Sequence, residues 1–374
     1  MRRLLYLLIL YALSCPLTMA QKAGGTKQYQ LFGVGFYNLE NLFDTVHDVG
    51  KRDQEYLPDG ANKWGSVKYN HKLHNMSRAL ADMATDRLPN IGCAAIGVSE
   101  VENANALTDL INQPRLKQRN MQFFHIEGRD RRGVDCALIY NPALFHLKQG
   151  SLHPYVPELE KDSTYATRGF LVVQGQIAGE DVAIIVCHWP SRRTGSFYRE
   201  SAGRQVRHIK DSLINDNPEL KVFVMGDMND DPQDRSMARE LRARRDISEM
   251  RPKDMYNPWW KILDNGDGTL SYQGRWNLFD QIALSPKLLN LDGQKDFSSL
   301  KFFKAEIQRL PYLLQSEGPY KGTPKRTHAG GIWLDGFSDH LPVVVYLVKE
   351  KPEKPATPET PETPAAPTET TQNP

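Results

Sequence analysis

Apolar runs that recur between positions 28 and 348 constrain the fold of this chain more than any other feature. Several of them are continuously apolar, as expected for strands that are covered on both faces. The predicted strands include 31–37, 94–98, 136–140, 170–173, 182–187, 222–225, 279–284 and 343–348. Apolar residues at helical spacing lie between some of them, at Leu73, Met76 and Leu80 and again at Ala202, Val206 and Ile209. The stretch 235–245 is also predicted to be helical. Since no Pro/Gly-rich break interrupts the pattern, it predicts one large domain of the α/β (α+β) class over 28–348.

Residues 1–20 are predicted to be a signal peptide. Arg2 and Arg3 precede an apolar run, 4–13, that is too short to span a bilayer, and Ala20 offers a small residue for cleavage. The mature protein would then be exported to the periplasm or out of the cell. Because 12–15 loosely matches a bacterial lipoprotein box, lipid attachment at Cys15 stays open as an alternative.

The other end of the chain differs in composition from the rest. From Lys349 to Pro374 it consists largely of Pro, Thr and Glu and has almost no apolar side chains. Such a segment cannot bury enough surface to offset the entropy lost on ordering. We therefore expect 349–374 to be a disordered tail.

The overall composition limits the classes of function. Hydrophobic residues make up 40% and charged residues 25%, which is ordinary for a soluble globular protein. The net charge is only +2, so any surface that binds nucleic acid must be local. Cys93, Cys136 and Cys187 lie in apolar runs, which predicts buried free thiols and excludes a disulfide-stabilised scaffold.

Polar side chains of a restricted kind stand at the ends of the predicted strands. Sheets of α/β proteins bind ligands there, although each residue alone could be a turn former or a cap. The set comprises Asn38, Glu100, His188, Asp227 with Asn229, Asp280, and Asp339 with His340. Oxygen ligands and imidazoles without cysteine ligands or closely spaced His pairs disfavour zinc and favour Mg²⁺, or Mn²⁺ as a related ion.

The chain resembles the endonuclease/exonuclease/phosphatase superfamily over roughly 31–347. The motifs that carry the resemblance are Tyr37-Asn38, Glu100, His188, Gly226-Asp227-Met228-Asn229, Asp280 and Ser338-Asp339-His340. The resemblance implies a four-layered sandwich of two mixed β-sheets flanked by helices. It also implies a metal-dependent phosphoesterase.

Roles for individual residues follow from the same resemblance. Glu100 would be the principal Mg²⁺ carboxylate, with Asn38 and Asp339 nearby. His340 would be the general base that deprotonates the attacking water. Asp280 would accept the other ring N–H of His340 and so fix its tautomer.

Three further residues receive roles around the phosphate. Asp227 and Asn229 would orient the water and hydrogen-bond to the phosphoryl oxygens. His188 resembles the second histidine of the deoxyribonuclease and sphingomyelinase branches, which contacts the scissile phosphate or protonates the leaving oxygen. Asp135 lies in the region that supplies the carboxylate partner of that histidine, with a polar residue at the start of a strand as the alternative.

Two arginines are candidates for binding substrate. Arg168 and Arg192 could each hold phosphate through bidentate hydrogen bonds, with solvated surface arginines as the alternative. The Arg-Asp-Arg-Arg stretch at 129–132 is expected to be a solvated turn.

These features predict an exported, monomeric phosphoesterase that activates water with Mg²⁺. A nuclease is preferred, because Arg199, Arg204 and Arg207 lie on a helical stretch that could follow a nucleic-acid backbone. The alternative is a phosphatase or a sphingomyelinase-like phospholipase C, acting on a phosphorylated small molecule or a phospholipid, with Trp259-Trp260 facing lipid. A protein that binds phosphate-rich surfaces without catalysis is disfavoured, since every site residue of the motif set is present.

Overall fold

The computed structural model describes residues 27–159 and 164–352. The predicted signal peptide, Cys15 and residues 353–374 of the predicted tail lie outside the described residues. The strands are β1 Tyr29–Leu42, β2 Ala95–Val101, β3 Gln122–His125, β4 Asp135–Tyr140, β5 Phe145–His153, β6 Phe170–Ile177, β7 Glu180–His188, β8 Lys221–Asp227, β9 Ala243–Arg244, β10 Met255–Tyr256, β11 Leu270–Tyr272, β12 Arg275–Asn277, β13 Asp280–Leu284, β14 Lys301–Ile307, β15 His328–Ala329, β16 Ile332–Trp333 and β17 Val343–Glu350. The α-helices are α1 Ser66–Asp82, α2 Ala104–Ile111, α3 Pro114–Lys117, α4 Ser196–Asp216 and α5 Trp259–Asp264.

Two mixed sheets form the centre of the molecule. The first has six strands in the order β14-β17-β1-β2-β4-β3, and the second has seven in the order β5-β6-β7-β8-β13-β10-β9. β1 is parallel to β2, and β7 is parallel to β8, while β17 and β13 run antiparallel to their neighbours β1 and β8. Two short hairpins, β11–β12 and β15–β16, complete the strand pairing.

The inner faces of the two sheets share one apolar core. Val34 and Phe36 of β1 pack in the same cluster as Ile184 of β7 and Met225 of β8. Side chains one position away point to the opposite face, as the two-residue period of a strand requires. The apolar runs are therefore covered on both sides, which explains why they show so little alternation in the sequence.

Helices cover the outer faces of both sheets. Leu73 and Met76 of α1 pack with Tyr37 of β1, whereas Ala202 of α4 packs with Val224 of β8. The result is helix, sheet, sheet, helix in four layers, so the predicted fold class is confirmed. Cys93, Cys136 and Cys187 are buried free thiols, as expected.

Some sequence boundaries need correction. Helix was expected over 235–245, but the structure has a single π-helical turn at Ser236–Leu241, after which Arg242 adopts a left-handed φ of 60° and β9 begins. The last strand continues past Val348 to Glu350, because Lys349 and Glu350 pair with Gln30 and Tyr29 of β1. Among the described helices, none combines the length and apolar character needed to cross a lipid bilayer.

Candidate active site

Strand directions bring the predicted residues to one edge of the sandwich. Asn38 and Glu100 lie near the carboxyl ends of the parallel strands β1 and β2, and His188 and Asp227 end the parallel strands β7 and β8. In the second sheet His188 is the register partner of Asp227, which is in turn the partner of Asp280 on β13. Parallel neighbours end at the same edge of a sheet, so the polar residues that follow them converge.

A bulge in each of the two central strands of the first sheet aims side chains into this edge. Ile96, Val98 and Val101 all pack against the helix layer, so the face alternation shifts by one residue between Val98 and Val101. The pairing register of β2 shifts at the same place, and Glu100 has a left-handed φ of 60°. Glu100 is thereby redirected from the helix layer to the space between the sheets. β1 shows the same shift between Asn38 and Leu42.

Four side chains form a compact cluster at the centre of the site. Asn38 Nδ2 donates to Asp227 Oδ2 at 3.1 Å and to Glu100 Oε1 at 3.4 Å. His188 Nε2 lies 3.6 Å from both Glu100 Oε1 and Asp227 Oδ2. Ligand atoms of Glu100, His188 and Asp227 all lie within 4.8 Å of one another. Burial raises the pKa of Asp227 to about 7, with His340 opposing the rise and the carboxylates of Asp280 and Glu100 adding to it.

The chemistry of this donor set fits a divalent metal ion. The two carboxylates are the hard ligands that Mg²⁺ and Mn²⁺ prefer. The amide of Asn38 turns its Nδ2 toward both of them, while its Oδ1 accepts from the backbone N–H of Glu40 at 2.8 Å. Asp339, also predicted as a ligand, lies beside the cluster with Oδ1 4.0 Å from His340 Nε2, and its Oδ2 accepts from Arg326 Nη2 at 3.0 Å. Coordination by Asp339 stays a prediction. Glu100, Asp227 and Asn38 are in direct hydrogen-bond contact at the centre of the site.

His340 and Asp280 form a buried dyad next to the cluster. His340 Nδ1 and Asp280 Oδ2 are 2.7 Å apart, and His340 Nε2 points to Asp227 Oδ2 at 3.8 Å. Ser338 Oγ accepts from the backbone N–H of His340 at 3.1 Å and donates to the carbonyl of Asn38 at 2.7 Å, which fixes the loop on β1. The ring therefore has one nitrogen held by a carboxylate and the other directed into the site.

The charge state of His340 is set by these neighbours. Burial alone would lower the pKa of His340, but the carboxylates of Asp280 and Asp227 raise it well above its ordinary value.

A general base works only when deprotonated, so the acidic limb of the pH–rate profile is expected at high pH. Asp280→Asn removes a carboxylate that raises the pKa, and it should therefore move that limb to lower pH while reducing kcat. Rates measured from pH 5 to 10 for both proteins test this, and a limb that stays in place would exclude His340 as its source.

His188 is buried in surroundings that favour its neutral form. Burial, together with the positive charges of Arg168 and Arg132, lowers the pKa of His188 well below its ordinary value. Its ring therefore carries one N–H and no charge at neutral pH. A neutral imidazole can donate a hydrogen bond to an anionic oxygen, but it is a poor proton donor.

The predicted pairing of Asp135 with His188 is wrong. Asp135 Oδ2 lies 3.1 Å from His125 Nε2, and its Oδ1 accepts from the backbone N–H of Gly128 at 3.0 Å. In the described part of the chain His188 Nδ1 has no hydrogen-bond partner. Asp135 begins β4 and holds the neighbouring strand β3 and its loop, which is the structural alternative that the sequence left open.

Arg168 is buried and hydrogen-bonded within the protein, and its contact with phosphate stays a prediction. Its Nη1 donates to Asp130 Oδ2 at 3.0 Å, and its Nη2 donates to the carbonyl of Trp189 at 3.0 Å. The same carbonyl accepts from Asn229 Nδ2 at 3.0 Å, and the backbone N–H of Asn229 donates to Asp227 Oδ1 at 2.9 Å. Arg168 thus supports the segment that places Asn229 beside Asp227.

Arg192 is also held by the protein. Its Nη2 donates to Asp231 at 3.1 Å and to Asp234 at 2.7 Å, while its Nε donates to the carbonyl of Asn229 at 3.1 Å. The guanidinium packs 4.5 Å from the ring centroid of Phe279. With these groups satisfied, Arg192 fixes the turn after β8 and has little capacity left for a phosphate.

The arginines of α4 and the pair Trp259-Trp260, which the sequence offered as signs of a nucleic-acid or a lipid substrate, make contacts within the protein. The cations of α4 are paired within the protein: Arg199 with Asp230, Arg204 with Glu158 and Glu240, and Arg207 with the carbonyl of Glu240. These pairs leave the arginines of α4 less free to bind a phosphate backbone, and contact of α4 with nucleic acid stays a prediction. Trp259 is fully buried with its Nε1 donating to the carbonyl of Ile282, so it faces no lipid. Trp260 is half-buried, with the guanidinium of Arg245 5.9 Å from its ring centroid.

Glu40 and Arg326 are the site residues that sequence reasoning missed. Glu40 follows Asn38 by two positions on β1, and this spacing on one strand could have identified it. Its Oε1 accepts from Arg326 Nε at 3.2 Å, and its Oε2 accepts from the backbone N–H of Thr327 at 2.6 Å. Arg326 lies just before the hairpin β15–β16, where the sequence carried no recognisable signal.

Comparisons with solved structures agree with this fold. An endonuclease/exonuclease/phosphatase family protein from Bacteroides thetaiotaomicron is 14% identical, with 87% of this chain and 97% of that chain covered and a TM-score of 0.51. The mannosyl-6-phosphatase of Bacteroides thetaiotaomicron VPI-5482 is 14% identical, with 84% and 99% covered and a TM-score of 0.51. D. rerio TDP2 complexed with single strand DNA product is 14% identical, with 85% and 98% covered and a TM-score of 0.50. At such identities these likenesses establish the fold alone.

The family is established by sequence. A comparison with curated protein sequences gives no match. The family model described as Endonuclease/Exonuclease/phosphatase family matches residues 33–349, which is most of the chain and includes every residue of the site described above. The chain therefore belongs to the endonuclease/exonuclease/phosphatase family of metal-dependent phosphoester hydrolases.

Proposed function

We propose that the protein is an exported, Mg²⁺-dependent phosphodiesterase that cleaves nucleic-acid strands. The observation that carries the substrate class is a group of exposed cations beside the site, on the loops around Arg52 and Arg131. Export depends on residues 1–20, which lie outside the described residues. Glu100 and Asp227 would hold the ion, with the amide of Asn38 donating to both carboxylates, and the charge of the ion would stabilise the phosphoryl oxygens and the leaving oxygen.

The residues of the chain supply the proton transfer and the orientation. His340 Nε2 removes a proton from water as the water oxygen bonds to phosphorus and the bond to the leaving oxygen breaks. Asp280 keeps the Nδ1 proton of His340 in place and stabilises the imidazolium that forms. Asp227 lies between the two histidines and positions the water. Because His188 is neutral, its role in this scheme is a hydrogen bond to a phosphoryl oxygen rather than protonation of the leaving group.

A basic rim lies on two loops next to the site. It is defined by Lys51, Arg52, Arg129, Arg131 and Arg132. Lys51 is half-buried and paired with Glu127 at 3.0 Å, and Arg132 lies 3.6 Å from Asp130, but all four arginines are exposed. The two loops are joined by a hydrogen bond from Arg52 N to the carbonyl of Arg131 at 2.8 Å. Arg132 is close enough to contribute to the lowered pKa of His188. Several cations side by side suit a chain of phosphates better than a single small phosphoester.

Removal of rim charges should weaken binding of nucleic acid without stopping catalysis. The variant carries Arg52→Ala, Arg131→Ala and Arg132→Ala. A plot of the logarithm of the DNA-binding constant against the logarithm of salt concentration should become less steep, by roughly 0.9 for each phosphate of duplex DNA that the protein no longer neutralises. The kcat should change little. Binding of a catalytically inactive background to labelled DNA at several salt concentrations measures this slope. The matched control removes exposed arginines elsewhere: Arg87→Ala, Arg115→Ala, Arg245→Ala.

The substrate class is tested by parallel assays. Plasmid DNA, single-stranded RNA, a sugar phosphate and sphingomyelin vesicles are each incubated with the protein and Mg²⁺, with His340→Gln as the background. Hydrolysis of either polynucleotide supports the proposal. Turnover of only the sugar phosphate or only the lipid would overturn the nucleic-acid assignment, and an unchanged salt slope in the triple variant would overturn the rim as its binding surface.

A further inference from the structure

Arg326 connects two acidic residues that come from different parts of the chain. Its Nε donates to Glu40 on β1, and its Nη2 donates to Asp339 in the segment that leads to His340. The side chain of Glu40 is only 7% exposed, whereas that of Arg326 is 45% exposed and reaches the surface of the site. The proposed reaction uses neither Arg326 nor Glu40, so this arrangement needs its own explanation.

Glu40 is fixed as one would expect for a ligand of a cation. Thr327 N–H donates to its second oxygen, and the buried Lys72 of α1 binds Thr327 Oγ1 at 2.6 Å and the carbonyl of Phe337 at 2.5 Å. Glu40 also has a left-handed φ of 47°. Backbone strain of this kind persists only where the surroundings impose it. The carboxylate is therefore preorganised toward Arg326 rather than adaptable.

The guanidinium still has donors available. Of its five N–H groups, the hydrogen bonds formed with the described residues use Nε and Nη2. Burial opposes its charge, but the carboxylates of Asp339, Glu40 and also Glu100 raise the pKa of Arg326. Asp339, which accepts from Nη2, has its other oxygen 4.0 Å from His340 Nε2, so the guanidinium is one carboxylate away from the catalytic ring.

We propose that Arg326 is a fixed cation of the active site. It holds Glu40 and Asp339 in the place that a second divalent ion would otherwise take, and its Nη1 group donates to a phosphoryl oxygen. A guanidinium binds two carboxylates and an anionic oxygen with set geometry, so it can replace the charge of an ion without exchanging with solvent. This role rests on the proposed function, because it places a phosphate next to the central cluster.

Metal stoichiometry tests the first half of this proposal without any substrate. Titration with Mn²⁺, followed by electron paramagnetic resonance of free Mn²⁺, should give one bound ion for the full chain and two for Arg326→Ala. The double variant Glu40→Gln, Arg326→Ala should return to one, because the second site loses a carboxylate. Arg87→Ala removes a surface arginine that is paired with Glu306 far from this cluster, and it should bind one ion. Two ions in the unmodified protein, or one in Arg326→Ala, would overturn the proposal.

Kinetics test the second half. Arg326→Ala should lower kcat about 10²-fold, the usual effect of losing a donor to a developing oxyanion. Guanidinium chloride at millimolar concentration should partly restore the rate of Arg326→Ala but not that of His340→Gln. Arg326→Lys keeps a charge and serves as a second variant should the alanine protein unfold, and it should also bind one Mn²⁺. If Arg326→Ala has a normal kcat and does not respond to guanidinium chloride, Arg326 does not contact the phosphate. If no phosphoester is hydrolysed although the Mn²⁺ counts change as expected, the proposed function fails and the fixed cation stands.

Discussion

His340→Gln is expected to lower kcat by about 10²- to 10⁴-fold, the range associated with loss of a general base. The ring of His340 is held at Nδ1 by Asp280 at 2.7 Å, and its Nε2 is directed toward Asp227. Glutamine can replace one hydrogen bond but cannot accept a proton from water. Because the residue contacts no binding surface that we assign to substrate, KM should change little. Single-turnover hydrolysis of a labelled oligonucleotide at saturating Mg²⁺ measures this effect.

A matched control for this substitution is available on the far strand β5. His146→Gln changes an exposed histidine of the second sheet and should retain full activity. Thermal unfolding of both variants shows whether the fold is preserved. An active His340→Gln protein with an unaltered melting temperature would show that another group removes the proton, and His340 would then not be the general base.

Glu100→Gln is expected to lose both Mg²⁺ affinity and activity, with a fall in kcat of about 10³-fold or more. A bound ion contributes several kcal/mol to stabilising the transition state, and each 1.4 kcal/mol or so corresponds to a factor of ten. Glu100 offers Oε1 to the cluster, while its Oε2 accepts from the backbone N–H of Asn41 at 3.0 Å. An amide at this position has one oxygen and no charge, so one of these two interactions is removed. Activity as a function of Mg²⁺ concentration, together with direct Mn²⁺ binding, measures the change.

The same experiment has a control with the same chemical substitution. Glu219→Gln replaces a side chain that is 77% exposed and remote from the cluster, and it should leave the Mg²⁺ requirement unchanged. Should Glu100→Gln bind Mn²⁺ as tightly as the unmodified protein, Glu100 would not be the principal ligand. The ion would then have to be held mainly by Asp227.

The central part of the site could be predicted because it depends on strand ends. Each apolar run ends where its strand leaves the core, and the first polar residue after it is visible in the sequence. Parallel pairing then brings these ends together without any information about loops. His188 and Asp227 were identified in this way, and Asp280 was found at the start of an antiparallel neighbour of the same strand.

The partners of the charged residues could not be predicted in the same way. Arg168 pairs with Asp130, and Arg192 pairs with Asp231 and Asp234, across loops whose paths no periodicity describes. Helical spacing likewise indicates which side chains share a face of α4, but not that Arg199 is covered and paired with Asp230. A sequence shows the charge of such residues, whereas their freedom to bind a ligand depends on the surrounding loops.

The left-handed backbone at Glu40 and Glu100 has a consequence for protein engineering. A side chain with a Cβ is disfavoured there by about 1–2 kcal/mol, and glycine would relieve the strain at both positions. Screening variants for resistance to heat alone would therefore tend to enrich glycine at these places and discard the two acids. Stabilised forms of this protein should be sought with both glutamates kept constant, so that tolerance to heat and turnover are not selected against each other.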